Sequence, residues 1–467
     1  MSDSSYEYDL VIIGSGPAGE KAAIHAAFYG KRVAILEKSS YLGGAGTNTG
    51  TLPSKTLKET AIFLSGISER GLYRQEKHLT STPNADDFLF RERFVVNRQR
   101  NREKFSLLHE KVDIIHGTAS FLDDHTLLVV SELQQRKITA EFILIATGSC
   151  PVHPPGIAFD SEHIHDSDSI LNINRIPKSI CIVGAGVIGC EYTTTFAVMG
   201  TKVILLNGNN PLLGFLDREI VDYFTFILEI AGVQLRSNVH VHQAKLTADN
   251  TAVRTIIDNE DFIETDMLLY TAGRQGNTAG LALESIGITP DQRGLIKVDK
   301  QYRTEIPHIF AAGDVIGFPA LGSTSMDQGR VAVTHMFNLQ AYEQIARTIP
   351  YGIYTIPEIS AVGLNEEEAK EKNIPYIVSK AAYQDIPRGT IIGANEGFLK
   401  LIIHKESKVI LGVHIYGRHA TELIHYGIEL VENKSTLQHI ISTIFNFPTL
   451  HELYKLAAYN AWQQHCS

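Results

Sequence analysis

Three glycines, Gly14, Gly16 and Gly19, and one acid, Glu37, are the first residues in this sequence whose types and spacing can do chemistry. In the run GSGPAG, side chains are missing where a tight turn, close approach of backbone to a pyrophosphate, and packing of a helix on a strand would exclude them. Phosphate charge placed there meets free N–H groups and the positive end of a helix dipole. Glu37, about twenty residues on, can accept hydrogen bonds from both ribose hydroxyls of an adenosine. The same design returns at Gly184, Gly186 and Gly189, but the residue closing its second apolar run is Asn207. No carboxylate there repels a 2′-phosphate, and no cation among Asn207, Gly208, Asn209 and Asn210 attracts one. That pocket therefore does not decide between NAD and NADP, and tolerance of both is expected.

Each glycine turn needs a strand, a helix and a second strand to position it. Residues 10–13 and 32–36 are the apolar strands of the first βαβ unit, and residues 202–206 are the second strand of the other. Two such units in one chain imply two dinucleotides. A further strand, residues 308–312, ends at Gly313 and Asp314. An acid at a strand's carboxyl end is placed to bind a polyol hydroxyl, or else to cap a turn. The predicted fold class is α/β: two Rossmann-like dinucleotide-binding domains plus a C-terminal α+β dimerisation domain.

Composition bounds the partners. The 467 residues exceed one core, so two to four domains are expected. A net charge of −10 argues against nucleic acid, and no apolar run reaches the length of a membrane span. The polar, acidic opening MSDSSYEYD does not read as a signal or transit peptide. Cys150, Cys181, Cys190 and Cys466 form no CxxC pair and no metal-ligand spacing, so no metal site is expected. They read as small buried hydrophobes plus one loose thiol at the tail, in a reducing cytoplasm.

In chain order, the glycine loop 43–50 is expected to be flexible and to lead into a helix whose first turn holds Pro53. A helical connection over 63–95 has a loop near Pro83, and a helix follows over 94–110. Strands are expected at 113–121, 125–130 and 136–145. Pro151, Pro154 and Pro155 mark a crossing between domains. Strands at 253–257 and 267–271 close the second domain, and a helix from Asp327 to Leu339 belongs again to the first. Beyond residue 346, strands at 351–356, 376–382, 398–404 and 408–417 alternate with helices at 365–372 and 419–433, before a last helix from about Thr449. The resulting domains are 1–150 with 272–345, 151–271, and 346–467.

GSGPAG with Glu37, GGAGTNTGTLPSK, the ATG at 146–148, GAGVIGCE at 184–191, the GR at 273–274, AAGD at 311–314 and FPTLHE at 447–452 resemble the flavoprotein family of dihydrolipoamide dehydrogenase and glutathione reductase. The resemblance covers nearly the whole chain. It implies FAD on the first unit, a nicotinamide dinucleotide on the second, and a homodimer formed through the C-terminal domain. It also implies that Lys38, Gly44, Thr51, Lys55, Thr147 and Gly148 help hold the flavin and that Gly273 lies at a cofactor. The disulfide reductases of the family carry a CxxxxC pair at positions that here are Gly46 and Thr51, and a His where this chain has Phe447. Both halves of the thiol mechanism are missing, whereas both dinucleotide units remain. The branch of soluble pyridine nucleotide transhydrogenases fits that description, although it usually keeps the first cysteine.

The chemistry this implies is a ping-pong hydride transfer from NADPH to flavin and from flavin to NAD⁺, both nucleotides using the second pocket. Lys55 and Glu191 are the expected tuning pair, and burial would make loss of either partner cost roughly 3–5 kcal/mol. The N-terminus of the helix from Asp327 is expected to stabilise negative charge on the flavin. His451 reads as structural, and Arg274 is expected to approach an adenosine or the flavin domain. The alternatives are an NAD(P)H oxidase or diaphorase, and a catalytically lapsed flavoprotein acting as a binding subunit.

Overall fold

The computed structural model describes residues 6–67, 72, 82–341 and 343–465. Cys466, and residues 68–71 and 73–81 of the connection expected over 63–95, lie outside them. The chain divides into two compact units. One contains residues 1–56, 89–153 and 273–345; the other contains 57–88, 154–272 and 346–467.

The first unit is built on a parallel sheet in the order Asp113–His116, Val33–Glu37, Tyr8–Ile13, Gln135–Ile145, with Ile309–Ala311 pairing beside the last. Leu10, Val11, Ile12, Ala34 and Ile35 are fully buried, as both faces of a parallel sheet require. The long strand Gln135–Ile145 leaves the parallel sheet at its start and joins an antiparallel meander with Thr126–Val130 and Thr118–Phe121. The expected strand 113–121 is broken at Gly117. Helix Pro17–Phe28 packs on helix Gly322–Met336 so closely that a β-carbon on Gly329 would run into the Ala18 carbonyl. That helix starts at Gly322, five residues before the expected Asp327. Helix Ala85–His109 likewise starts earlier than expected.

The second unit holds a parallel sheet in the order Gln234–Ser237, Lys202–Asn207, Ser179–Val183, Met267–Tyr270, Ile164–Asp166. One antiparallel sheet of this unit pairs Val241–Leu246, Val253–Ile257 and Phe262–Thr265; a larger one runs Tyr351–Ile353, Glu358–Gly363, Ile410–Gly417, Phe398–His404, Tyr376–Ala382. Helices Ala420–Glu432 and Glu452–His465 pack on the five-stranded sheet over a core that includes Tyr383, Leu401, Val413 and Tyr454. Strand Glu358–Gly363 and the short helices Pro387–Ile392 and Leu437–Ser442 were not expected from sequence. Among the described residues no helix is long and apolar enough to cross a membrane.

Candidate functional site

In the first unit the registers Ile13↔Leu36, Ile13↔Ile145 and Ala311↔Ile145 bring four strand ends to one edge of the sheet. Gly14, Glu37 with exposed Lys38, Thr147 with Gly148, and Asp314 follow those ends, so one edge gathers the residues that sequence singled out. Gly14 has φ 104°, and a β-carbon there would sit 2.5 Å from the Ala146 carbonyl oxygen. On Gly19 it would collide with the Gly14 carbonyl, which is how the turn and the helix close up. Glu37 is 6% exposed and its carboxylate is fixed before any ligand arrives. Ser15 donates to Oε2 from its N–H (3.0 Å) and its hydroxyl (2.6 Å), and the Ser39 N–H donates to Oε1 at 2.8 Å. The Thr147 hydroxyl is buried beside this edge with no hydrogen-bond partner. A glycine cradle, a fixed carboxylate and an orphaned hydroxyl together fit a dinucleotide.

The loop expected to be flexible contains a helical turn, Gly44–Asn48. Gly44 lies on Gly16, where a β-carbon would come 2.7 Å from the Gly16 Cα. Gly46 faces Pro17, and a β-carbon there would come 2.8 Å from Pro17 Cγ. Helix Thr51–Ser65 follows, beginning two residues before Pro53. Exposed Thr51 adjoins the start of helix Gly322–Met336: a β-carbon on Gly322 would lie 3.9 Å from its hydroxyl. The first N–H groups of that helix have no acceptor within it, which leaves positive dipole there. Sequence reasoning missed Glu103, whose carboxyl burial pushes up; Thr47 donates to its Oε1 at 2.5 Å, and its Oε2 lies against Gly43 without a partner.

Asp314 accepts a hydrogen bond from the Ser149 hydroxyl at 2.9 Å, and Arg274 donates to that hydroxyl (2.9 Å) and to the Ser149 carbonyl (2.8 Å). Ser149–Pro151 and Arg274–Gly276 pair as two short antiparallel strands where the chain leaves and re-enters the unit. Arg274 and Gly273 thus belong to that crossing, with the Gly273 carbonyl accepting from the Val152 N–H.

The second cradle, in the other unit, repeats the backbone of the first. Gly184 has φ 102°, a β-carbon on Gly189 would collide with the Gly184 carbonyl, and the space before Gly186 is open. Asn207 ends its strand 8% exposed, and its side-chain N–H₂ is buried without a partner. A buried, unsatisfied donor at this strand end fits a ribose hydroxyl. Sequence reasoning found no cation here. The structure places an imidazole beside it: His240 lies with Nε2 3.5 Å from where a Gly208 side chain would begin. It comes from the neighbouring segment, held by the Val239 N–H to Asn207 carbonyl bond of 3.1 Å. No local signal in residues 207–210 could have shown it.

Of the expected tuning pair, Lys55 lies half-buried in the first unit, its ammonium 3.3 Å from the Ser54 hydroxyl. Glu191 lies in the second unit, 5% exposed, accepting the Tyr354 N–H at 3.0 Å. Two residues along, the Ile356 N–H donates to the Thr194 hydroxyl at 3.1 Å, so the glycine-turn helix Val187–Val198 is tied to the segment entering the antiparallel sheet. The same helix also carries a buried lysine, Lys58, which sequence reasoning missed. It pairs with Glu358 at 2.5 Å, and Glu358 also accepts from the N–H and hydroxyl of Thr421. Burial opposes charge on both groups, but their mutual attraction outweighs it: Lys58 is held above the usual lysine range and Glu358 below the usual glutamate range.

Phe447 is 74% exposed. His451 stacks between Phe445 and Tyr454 at centroid distances of 6.0 and 6.3 Å, and burial lowers its pKa. Cys181 and Cys190 are buried with their thiols pushed up by burial, whereas Cys150, expected to be buried, is partly exposed.

Two family profiles span this architecture: "Pyridine nucleotide-disulphide oxidoreductase" over residues 8–334, and the dimerisation domain of the same name over 349–458. The chain belongs to the pyridine nucleotide-disulphide oxidoreductase family. It is therefore an oxidoreductase that works with a flavin and a pyridine nucleotide. Among its relatives is a "Soluble pyridine nucleotide transhydrogenase" of Mycobacterium bovis, 41% identical over 97% of this chain and 96% of the relative. One of the same name from an Enterobacter species is 40% identical over 98% of each. Among solved structures, the Cu(II) complex of the "HOCl-induced flavoprotein disulfide reductase RclA" of Escherichia coli matches with TM-score 0.88 and 29% identity, covering 97% of this chain and 99% of that one. LpdA of Mycobacterium tuberculosis matches in fold with TM-score 0.89 and 24% identity, over 96% and 98%.

Proposed function

We propose that this oxidoreductase exchanges a hydride between NADPH and NAD⁺ through FAD, with no sulfur relay. The observation that carries this reading is the pairing of two dinucleotide cradles with a glycine, Gly46, packed against Pro17 where the disulfide branch needs a thiol. Thr51, at the second thiol position, has no sulfur either. When bound, FAD supplies the hydride acceptor for NADPH and the donor for NAD⁺, in a ping-pong cycle through one nicotinamide pocket.

In this reading Gly14, Gly16, Gly19, Gly44 and the start of helix Gly322–Met336 hold phosphate and flavin charge by backbone N–H groups. Glu37 accepts ribose hydroxyls and Asp314, oriented by Ser149, accepts a polyol hydroxyl, while Lys38, Thr51, Thr147 and Gly148 complete the wall. Gly184, Gly186, Gly189 and Asn207 hold the nicotinamide nucleotide, with Gly273 at the crossing. Lys55 and Glu191 are the tuning cation and anion. Residues 1–150 with 272–345 form the FAD domain, 151–271 the NAD(P) domain, and 346–467 the homodimer interface, in a cytoplasmic enzyme.

Mixing the flavoprotein anaerobically with NADPH and thio-NAD⁺ tests this. Growth of the reduced thionicotinamide band supports transhydrogenation. Flavin bleaching without it favours an oxidase or diaphorase, and no bleaching favours a lapsed enzyme.

A further inference from the structure

The second cradle has to accept nucleotides with and without a 2′-phosphate, and nothing fixed at Asn207–Asn210 carries charge. His240 is the ionisable group beside that position. Its Nε2 edge faces Gly208, the residue directly after Asn207, and Gly208 leaves this edge uncovered because it has no side chain. The opposite nitrogen, Nδ1, is 3.5 Å from Asp258 Oδ2, and the same carboxylate oxygen accepts the His240 backbone N–H at 2.8 Å. Asp258 comes from the turn after strand Val253–Ile257, and His242 binds its other oxygen at 2.8 Å. Asp258 and, through it, His242 are ionisable groups held beside His240, while Asn207, Gly208 and Val239 contribute none. The His240 side chain is 67% exposed, so a ligand can reach it.

An Nδ1–H directed at Asp258 leaves a lone pair on Nε2 of the neutral ring. That lone pair can accept the ribose 2′-hydroxyl of NAD. Protonation puts N–H on both nitrogens, and the Nε2–H can then donate to the 2′-phosphate of NADP as a charge-assisted bond. We propose that His240 is the specificity group of the second cradle, reading a 2′-hydroxyl in its neutral form and a 2′-phosphate in its charged form. This rests on the proposed two-cradle reading. The buried, unpartnered N–H₂ of Asn207 is the second sign that a ribose edge belongs here.

The test is calorimetric titration of the oxidised flavoprotein with NADP⁺ and with NAD⁺ at pH about 8 and about 5.5. The ratio of NAD⁺ to NADP⁺ dissociation constants should rise roughly tenfold more on acidification in the wild type than in His240→Gln. Comparing the two proteins cancels the titration of the ligand's own phosphate. His240→Arg should favour NADP⁺ at both pH values. A ratio that follows pH equally in wild type and His240→Gln overturns the assignment and leaves the two-cradle reading standing. Failure of either nucleotide to bind any of the proteins overturns that reading, and the assignment with it.

Discussion

The two glycine turns match in backbone and differ in what closes them. Gly14 and Gly184 have φ of 104° and 102°, and in each turn the third glycine is pressed on the carbonyl of the first. One cradle then ends in a buried carboxylate with three hydrogen bonds already made, the other in a neutral amide with an unmet donor beside an exposed imidazole. A preorganised charge suits a cofactor that stays, since no ordering cost remains at binding. An adaptable neutral edge suits a substrate that leaves and is replaced by a near relative. The backbone cradle is shared; the closing residue sets its use.

The harshest way to break this comparison is to fill each turn. Gly19→Val and Gly189→Val both force a side chain onto backbone, at a cost of about 3 kcal/mol or more by denaturant unfolding. If the two sites are separate, the first variant loses flavin and the second keeps its yellow colour but no longer reacts with NADPH. Flavin loss from both would show that they are not separable. Glu37→Gln comes next: the Ser15 and Ser39 donors lose an anionic acceptor, and flavin affinity should fall roughly a hundredfold, read as flavin released on gel filtration.

Much of this contrast is legible in the sequence because it is local. The spacing of Gly14, Gly16, Gly19 and Glu37 specifies strand, turn, helix and strand, and the folded chain places Glu37 at the end of its strand. What escaped is set by partners distant in sequence. Strand Glu358–Gly363 begins with a buried acid, a poor strand signal, made tolerable by Lys58 from 300 residues away. Helix Gly322–Met336 opens with GSTS, weak helix formers that hide its start five residues before Asp327. Packing on helix Pro17–Phe28 decides the matter instead. His240 reaches Gly208 by strand adjacency, which residues 207–210 do not encode.

Acid should separate the two units as well. Burial lowers the pKa of His165, His414 and half-buried His451 in the second unit; among the described residues of the first, burial does so for His25, with Arg330 adding to it. A base whose folded pKa is depressed binds fewer protons folded than unfolded. Its stabilising contribution is complete above the unfolded value of about 6.5 and is lost as pH falls below it, by at most about 1.4 kcal/mol per pH unit for each residue. Hydrogen exchange at pH 7 and pH 5, corrected for intrinsic rates, should show protection falling more in the second unit. Equal losses in both would remove the asymmetry.

The smallest expected effect is the sharpest test of the contrast. Asn207→Asp gives the second cradle the kind of residue that closes the first. The new carboxylate can accept a ribose hydroxyl, so NAD⁺ binding should hold or improve, but it stands where a 2′-phosphate must lie, and two anions there repel. NADP⁺ should weaken roughly tenfold relative to NAD⁺ by titration, equivalent to about 1.4 kcal/mol. Replacing one side-chain nitrogen by oxygen preserves shape but turns a donor into an anionic acceptor, so a loss confined to NADP⁺ reports the repulsion between the two anions. An unaltered ratio would mean that Asn207 does not face the adenosine ribose, and that the likeness of the two cradles ends at their glycines.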